Sequence, residues 1–483
     1  MSKKLLAVIA LVVASMFVFT ACGGDEYAFD ALQNNPAATD AVESNGGSYV
    51  QKGEYSYFIN GAEDGTDKNT FGTYHKGSIV RVKTSDLTKK ERVVETVVPK
   101  IIYAEDVDSS GFYIFGDKIY YTTPNTSKTT QGIVQIEKLD FMMANIDGTG
   151  TKLIATIDDN TKAYRFVEKA GTVYILYVGA EDITLNDEKT STTALFEINC
   201  ATKAQKTIAN NVDTVVFDSY ADSVSVAYTQ KIVSADGLNG KEAIEQNCNN
   251  LYQYTAGSEK SVEIAKGLDL DAKTSVKYTP VALVENVVYY NAEGKGLVAQ
   301  SKTFNKFDGS VSKIANNVYT NVMVGANDVI YTVADNYIVK ITFGTTPVQT
   351  RVCAVSEDVK FEYLTNDYLY YSLPEGYTLH RVDISEDKLA SSQMAIAGQM
   401  KTTLWASYDF ATINGKFCAI YFNDADDINY INYAYICWFE STGDSALTAK
   451  RIGLLSANEQ KYAFENELED TQYAVEDFLT AQN

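Results

Sequence analysis

Two histidines, six cysteines and 63 acidic side chains are the groups in this 483-residue chain that could bind a metal, attack a substrate or move a proton. His75 lies in a polar stretch and His380 in a strand-like run. Neither belongs to a His-Glu-x-x-His pair, so zinc hydrolysis on that pattern is excluded. No Gly-x-Ser-x-Gly elbow and no Gly-x-x-x-x-Gly-Lys loop occurs, which removes the common hydrolase nucleophile and phosphate cradle. No Cys-x-x-Cys pair is present, so a structural zinc site is not expected. Asp106-Val107-Asp108-Ser109-Ser110-Gly111 and Asp424-Ala425-Asp426-Asp427 could offer oxygen ligands to calcium. Each lacks the twelve-residue loop with its closing bidentate Glu, so solvated acidic turns are the first reading. Asp106, Asp108, Asp424 and Asp426 are the metal candidates that remain, and the expectation is no metal and no cofactor. Tyr74, Tyr430 and Tyr433, in polar loops, are the aromatic groups that could stack on a sugar or a partner protein.

Such groups need a scaffold, and the chain repeats one. A β-rich run with an aromatic residue beside aliphatics is followed by a polar connection of variable length and then a second strand. The first runs include Tyr55–Ile59, Lys118–Tyr121, Val173–Tyr177, Ser223–Tyr228, Val287–Tyr290, Val329–Tyr331, Tyr368–Tyr371 and Phe417–Phe422. Their partners include Ser78–Val82, Ala194–Ile198, Asn250–Tyr254, Gly296–Ala299 and Thr378–Val382. β-Branched and aromatic residues bounded by Gly, Asn and Asp are strand signals. Eight copies at intervals of roughly 40 to 60 residues suit propeller blades. A lone blade leaves its faces bare, and stacking blades in a ring covers them. The expected fold is all-β: a single β-propeller of eight blades, or seven, over residues 47–455. A short helical tail is expected over 456–483, where Ser456-Ala457-Asn458-Glu459 matches a capping box.

Adjacent tyrosines such as Tyr120-Tyr121, Tyr289-Tyr290 and Tyr370-Tyr371 would send their rings to opposite sides of a strand. The turns Asp147-Gly148 and Asp308-Gly309 read as hairpins. The connections Ala62–Gly77, Thr122–Lys138, Gly179–Thr193, Thr229–Asn249 and Asn423–Asn432 are long, and would gather on one face as the natural partner surface. Carboxylates brought together near a central channel could instead cleave glycosidic bonds. That makes an enzyme on glycans or peptidoglycan the alternative.

The formal charge of -22 argues against nucleic acid and against polybasic attachment to lipid. The N-terminus supplies another route to a membrane. Lys3 and Lys4 precede an apolar run, Leu5 to Phe19, that is short for a membrane span and suits a secretory signal. The run ends in Thr20-Ala21-Cys22-Gly23-Gly24, which resembles the lipobox of bacterial lipoproteins. The resemblance implies a signal peptide at 1–21 and a mature N-terminus at an acylated (palmitate-type) Cys22. It further implies a chain anchored on the extracytoplasmic face of the cell membrane. Residues 22–46 read as a flexible tether. Cys200, Cys248, Cys353, Cys418 and Cys437 are scattered and read as small buried side chains, with Cys418 and Cys437 close enough in one copy to face each other.

Ile146-Asp147-Gly148-Thr149-Gly150-Thr151-Lys152-Leu153-Ile154 resembles the strand, Asp-Gly-Thr turn, strand unit of propellers of the YWTD and TolB-like groups. Tyr57-Phe58-Ile59-Asn60-Gly61 is similar to the start of uncharacterised Gram-positive surface lipoproteins with this fold, a family without an established activity. The functional expectation is a lipid-anchored binding or scaffold module for an envelope protein or glycan, presented on the long-connection face.

Overall fold

The computed structural model describes residues 31–453, apart from the segments 60–77, 88–92, 100–110, 126–137, 159–162, 186–187, 219–222, 234–247, 273, 296–299, 345–346, 356–358, 374–377, 386–393, 398–405, 414–415, 424–432 and 442–446. Its strands form antiparallel meanders in chain order, at 42–98, 113–158, 163–209, 212–265, 268–315, 323–354, 360–397 and 406–453. Each has four main strands, and the first and fifth add a two-residue strand at the inner edge, Val42–Glu43 and Leu268–Asp269. Seven sheets hold these eight meanders, because Met394–Ala397 lies parallel to Leu447–Gly453 and joins the last two. That pairing also covers two strand edges that would otherwise stand open. The inner strand Tyr49–Lys52 of the first meander contacts Ala406–Ile413 of the last, which closes the ring. The protein is an all-β propeller of eight blades. Among the described residues no strand is exchanged between the first and last blades. The helical tail expected over 456–483 lies outside the described residues.

Each first run in the sequence is the second strand of its blade. The innermost strand precedes it and carries less signal; in blade 6 it is only Met323–Val324. The second strands alternate as expected. Tyr121 packs between blades 1 and 2, whereas Tyr120 packs between blades 2 and 3. Tyr289 joins the core shared with blade 6, and Tyr290 the core shared with blade 4. Tyrosine suits this position because its ring fills the wedge between two twisted sheets.

In blades 1 to 6 the pairing of the third and fourth strands slips at one place. The slips fall at Ile79/Val80, Phe141/Met142, Leu195/Phe196, Leu251/Tyr252, Phe304/Asn305 and Ile338/Val339. An extra residue there increases local twist, which turns each outer strand away from the flat plane of the inner ones. The slip is a property of backbone pairing with no fixed residue type, so the repeat read from side chains did not contain it.

Two connections differ from the sequence reading. Gly179–Thr193 is largely a β-ladder: Thr172–Leu185 pairs with Glu188–Asn199 out to Leu185 opposite Glu188. In blade 5 the third strand is Gln300–Phe307 rather than Gly296–Ala299, and it pairs with Val287–Lys295. Asp147-Gly148 and Asp308-Gly309 are turns between third and fourth strands, as read, with both glycines at positive φ.

The second half of the stretch read as a tether is docked. Leu32 is buried and donates its N–H to the carbonyl of Asp147 in blade 2. Arg81, fully buried in blade 1, reaches Glu95 (2.7 Å), Asn35 (2.5 Å) and the carbonyl of Gln33 (2.7 Å). Its guanidinium lies 4.4 Å from the ring centre of Tyr55. Lys52 donates to the carbonyls of Ala38 and Asp40, and burial lowers its pKa below the ordinary lysine value. The chain then adds Val42–Glu43 to blade 1 and bonds along blade 2 through Asn45, Gly46 and Gly47. The ordered body therefore begins before residue 47.

Cys200, Cys248, Cys353 and Cys418 are buried. Burial pushes the thiol of Cys200 up to about 12 and that of Cys353 up to about 11, far from a reactive thiolate. Cys418 lies opposite Trp438 in the ladder, while Cys437 lies opposite Ala419. The two cysteines are thus out of register, and the facing pair read from sequence does not form.

Blades 3 and 4 are stapled by one buried carboxylate. Glu197 accepts from the Tyr254 hydroxyl (2.8 Å) and the Gly257 N–H (2.6 Å), and its other oxygen lies 3.0 Å from Lys206 Nζ. Glu197→Ala leaves the Gly257 amide without its acceptor and the Tyr254 hydroxyl with only the Ser258 carbonyl. It is expected to cost about 2 kcal/mol of stability, read from urea unfolding; a loss below about 0.5 kcal/mol contradicts the staple.

Candidate functional site

Strand direction alternates within each blade, so the turns sort onto two faces. Turns between first and second strands, and between third and fourth, emerge on one side, here the hairpin face. Second-to-third connections and the links between blades emerge on the other, the connection face. Every long connection singled out in the sequence joins strands on the connection face; apart from Gly179–Thr193, most of the residues of each lie outside the described ones. So do Tyr74, Tyr430, His75, Asp106, Asp108, Asp424 and Asp426. Tyr433 begins the strand Tyr433–Ser441, opposite Asn423. Among the described residues no group of three or more His, Cys, Asp or Glu could hold a metal ion.

The described residues instead shape a cavity of about 1200 Å³ at the hairpin face. Its wall comes from the first-to-second-strand turns of blades 5 to 7 and the strands beside them, from Phe410 and Ala411 of blade 8, and from Glu43 and Ser44 of the docked N-terminal segment. The turn Glu285-Asn286 has both residues at positive φ (49° and 67°), which gives a tight hairpin its twist. In blade 6 the turn Gly325–Val329 closes through the Gly325 N–H on the Val329 carbonyl, with Asn327 and Asp328 both at φ 59°. Asn and Asp tolerate that region better than other side chains. In blade 7 the Thr365 hydroxyl accepts the Tyr368 N–H at 2.9 Å and fixes the turn below Tyr363.

The cavity lining carries both aromatic and charged side chains. Tyr363 stacks on Phe410 of blade 8 with centroids 4.9 Å apart and planes 27° apart, and Phe410 also meets Tyr370 at 5.5 Å. Tyr363 remains exposed, so part of its ring faces open space. Asp328, also in the lining, accepts the Tyr289 hydroxyl and the Lys306 ammonium, each at 2.6 Å. Burial opposes ionisation of Asp328, but these two donors outweigh it and hold the carboxyl below its usual range. Glu43, Glu285 and Lys340 complete the charged lining. Asn327, Asn366, Ser44 and Ser385 add amide and hydroxyl groups.

A carboxyl held low contributes stability above its unfolded value of about 3.9, and that contribution is lost as pH falls through the lower folded value. Asp328→Asn should therefore unfold more readily than the native chain at pH 6, and the gap should close below about pH 4. Thermal unfolding across pH checks this; a gap that persists unchanged at pH 2 contradicts it.

His380 is not part of the cavity. It is buried in blade 7, stacked on Tyr371 at 5.3 Å, and desolvation lowers its pKa. Glu362, on the inner strand of the same blade, is a carboxyl raised by burial against the pull of Lys360 and Ser372, and it too lies outside the cavity lining. Neither reading of the sequence pointed to Tyr363, Phe410 or Asp328. The turn-rich run Gly325-Ala326-Asn327-Asp328 before Val329-Ile330-Tyr331 was the one signal available.

No family model matches the sequence, and no curated protein matches it. Solved structures to which the chain is similar include the β-propeller domain of the trilobed protease from Pyrococcus furiosus, described as having an open velcro topology. It shows 10% identity over 71% of this chain and 92% of that one, with a TM-score of 0.36. The acylaminoacyl peptidase of Pyrococcus horikoshii shows 9% identity over 85% of this chain, with a TM-score of 0.37; the chain spans 60% of that peptidase. TolB from Acinetobacter baumannii shows 10% identity over 76% of this chain and 87% of that one, with a TM-score of 0.24.

Proposed function

We propose that this eight-bladed propeller is a lipid-anchored, extracytoplasmic binding module, that Cys22 carries the lipid, and that the axial cavity on the hairpin face is the ligand seat. The cavity carries this reading. It is large for a small-molecule site, which typically measures about 300–1,000 Å³. Its lining offers an exposed aromatic ring together with carboxylates, amides and hydroxyls. An envelope glycan suits that combination, with a ring stacked on Tyr363 and hydroxyls bonded to Asn366, Asn327 and Glu285.

The enzyme reading needs a carboxyl poised to give up a proton beside a second carboxylate. Asp328 does not meet that need, because Lys306 and Tyr289 hold it ionised. Glu362, the carboxyl raised by burial, does not line the cavity. Binding without turnover is the reading these groups favour.

Glycan-array binding of the part after Cys22, compared with its Tyr363→Ala variant, tests the seat. The expected result is a glycan class retained by the native chain and lost by the variant. Equal binding by the two would remove the cavity from the account.

A further inference from the structure

The docked N-terminal segment fixes more than the first blade. Leu32 is bonded to Asp147, in a turn between third and fourth strands, and so lies on the hairpin face. Gln33 and Asn35 are held by Arg81, and Ala38 and Asp40 by Lys52, which ends the inner strand on that same face. The segment thus runs along the face that opens into the cavity, and Glu43 and Ser44 enter the cavity wall.

Only residues 23–31 separate Cys22 from Leu32. Ten residue steps reach at most about 35 Å when fully extended. Most blade strands are about five to eight residues long and some are longer, which with their turns makes the ring roughly 30 Å thick at about 3.3 Å per residue. Turning the connection face toward a bilayer would require the leash to climb the whole side of the ring, leaving almost nothing to reach the lipid. With the hairpin face toward the bilayer the same leash spans only the gap.

We infer that the lipid at Cys22 holds the propeller with its hairpin face, and the mouth of its axial cavity, toward the bilayer, while the connection face looks outward. This rests on the anchor reading above and adds the orientation. The seat would then meet ligands displayed at the membrane surface. Charge does not produce this orientation, because the turns of the hairpin face carry Glu54, Asp117, Glu285 and Asp367, which an anionic bilayer repels. The leash sets both the direction and the limit of the gap.

Energy transfer in proteoliposomes tests this on the full lipidated chain. A donor dye is placed at Asp367→Cys or Ala170→Cys on the hairpin face, or at Asn316→Cys on the connection face, all exposed positions. The bilayer carries an acceptor-labelled phospholipid. Protein without an introduced cysteine gives the background, since the described native cysteines are buried. Higher transfer from positions 367 and 170 than from 316 is expected. Equal or reversed transfer on membrane-bound protein overturns the orientation and leaves the anchor standing. If the Cys22→Ala form floats with the vesicles as fully as the native form, the anchor reading fails, and the orientation fails with it.

Discussion

Replacing Cys22 with Ala moves the protein from the membrane fraction to the soluble fraction. The expectation is an all-or-none change, because the proposed anchor is a single residue. Cys22 follows an apolar run that ends in small residues, and two or more acyl chains on one residue hold a protein on a bilayer where one chain does not. Among the described residues no helix is long and apolar enough to cross a membrane. The run Leu5 to Phe19 is itself short for a span, so an unprocessed signal is a weak substitute for the lipid. Fractionation with a carbonate wash reads the outcome. Full retention of Cys22→Ala in the washed membranes would sink the lipoprotein reading.

Arg81→Met is expected to be the most damaging single change within the described body. The guanidinium is fully buried and has three acceptors, two of them on the N-terminal segment. Met keeps the volume of the stem but leaves the Glu95 carboxylate without its partner. Breaking a buried pair on one side costs about 3–5 kcal/mol, and Glu95 is one-fifth exposed, which places the loss near the lower figure. Urea unfolding gives the value. A loss under about 1 kcal/mol would mean that the N-terminal segment is held by its other contacts and that Arg81 is not the clamp.

The fold was legible because its signal is repeated. Eight aromatic second strands, each bounded by turn residues, pointed to a propeller of eight blades, or seven, and the structure has eight. The paired tyrosines could be assigned to two cores from the pleat alone. What stayed hidden has physical causes. Inner strands such as Met323–Val324 are too short to show alternation. The recurring slip between third and fourth strands lies in the backbone. The docking of residues 32–43 depends on Lys52 and Arg81, two ordinary-looking basic residues in strands, so a polar stretch with little periodicity read as a tether. The site was hidden for a related reason. Long connections draw attention to one face, whereas the cavity is built at the other from short turns whose residues meet only when blades 5 to 8 close against blade 1.

A photoreactive side chain at position 363, compared with one at position 316, tests the central claim most directly when placed in the full chain in intact cells. The first stands in the axial cavity and the second on the connection face. The account predicts a discrete covalent adduct from position 363 and none from 316. An adduct from 316 alone would place the binding surface on the long connections and leave the cavity without a ligand.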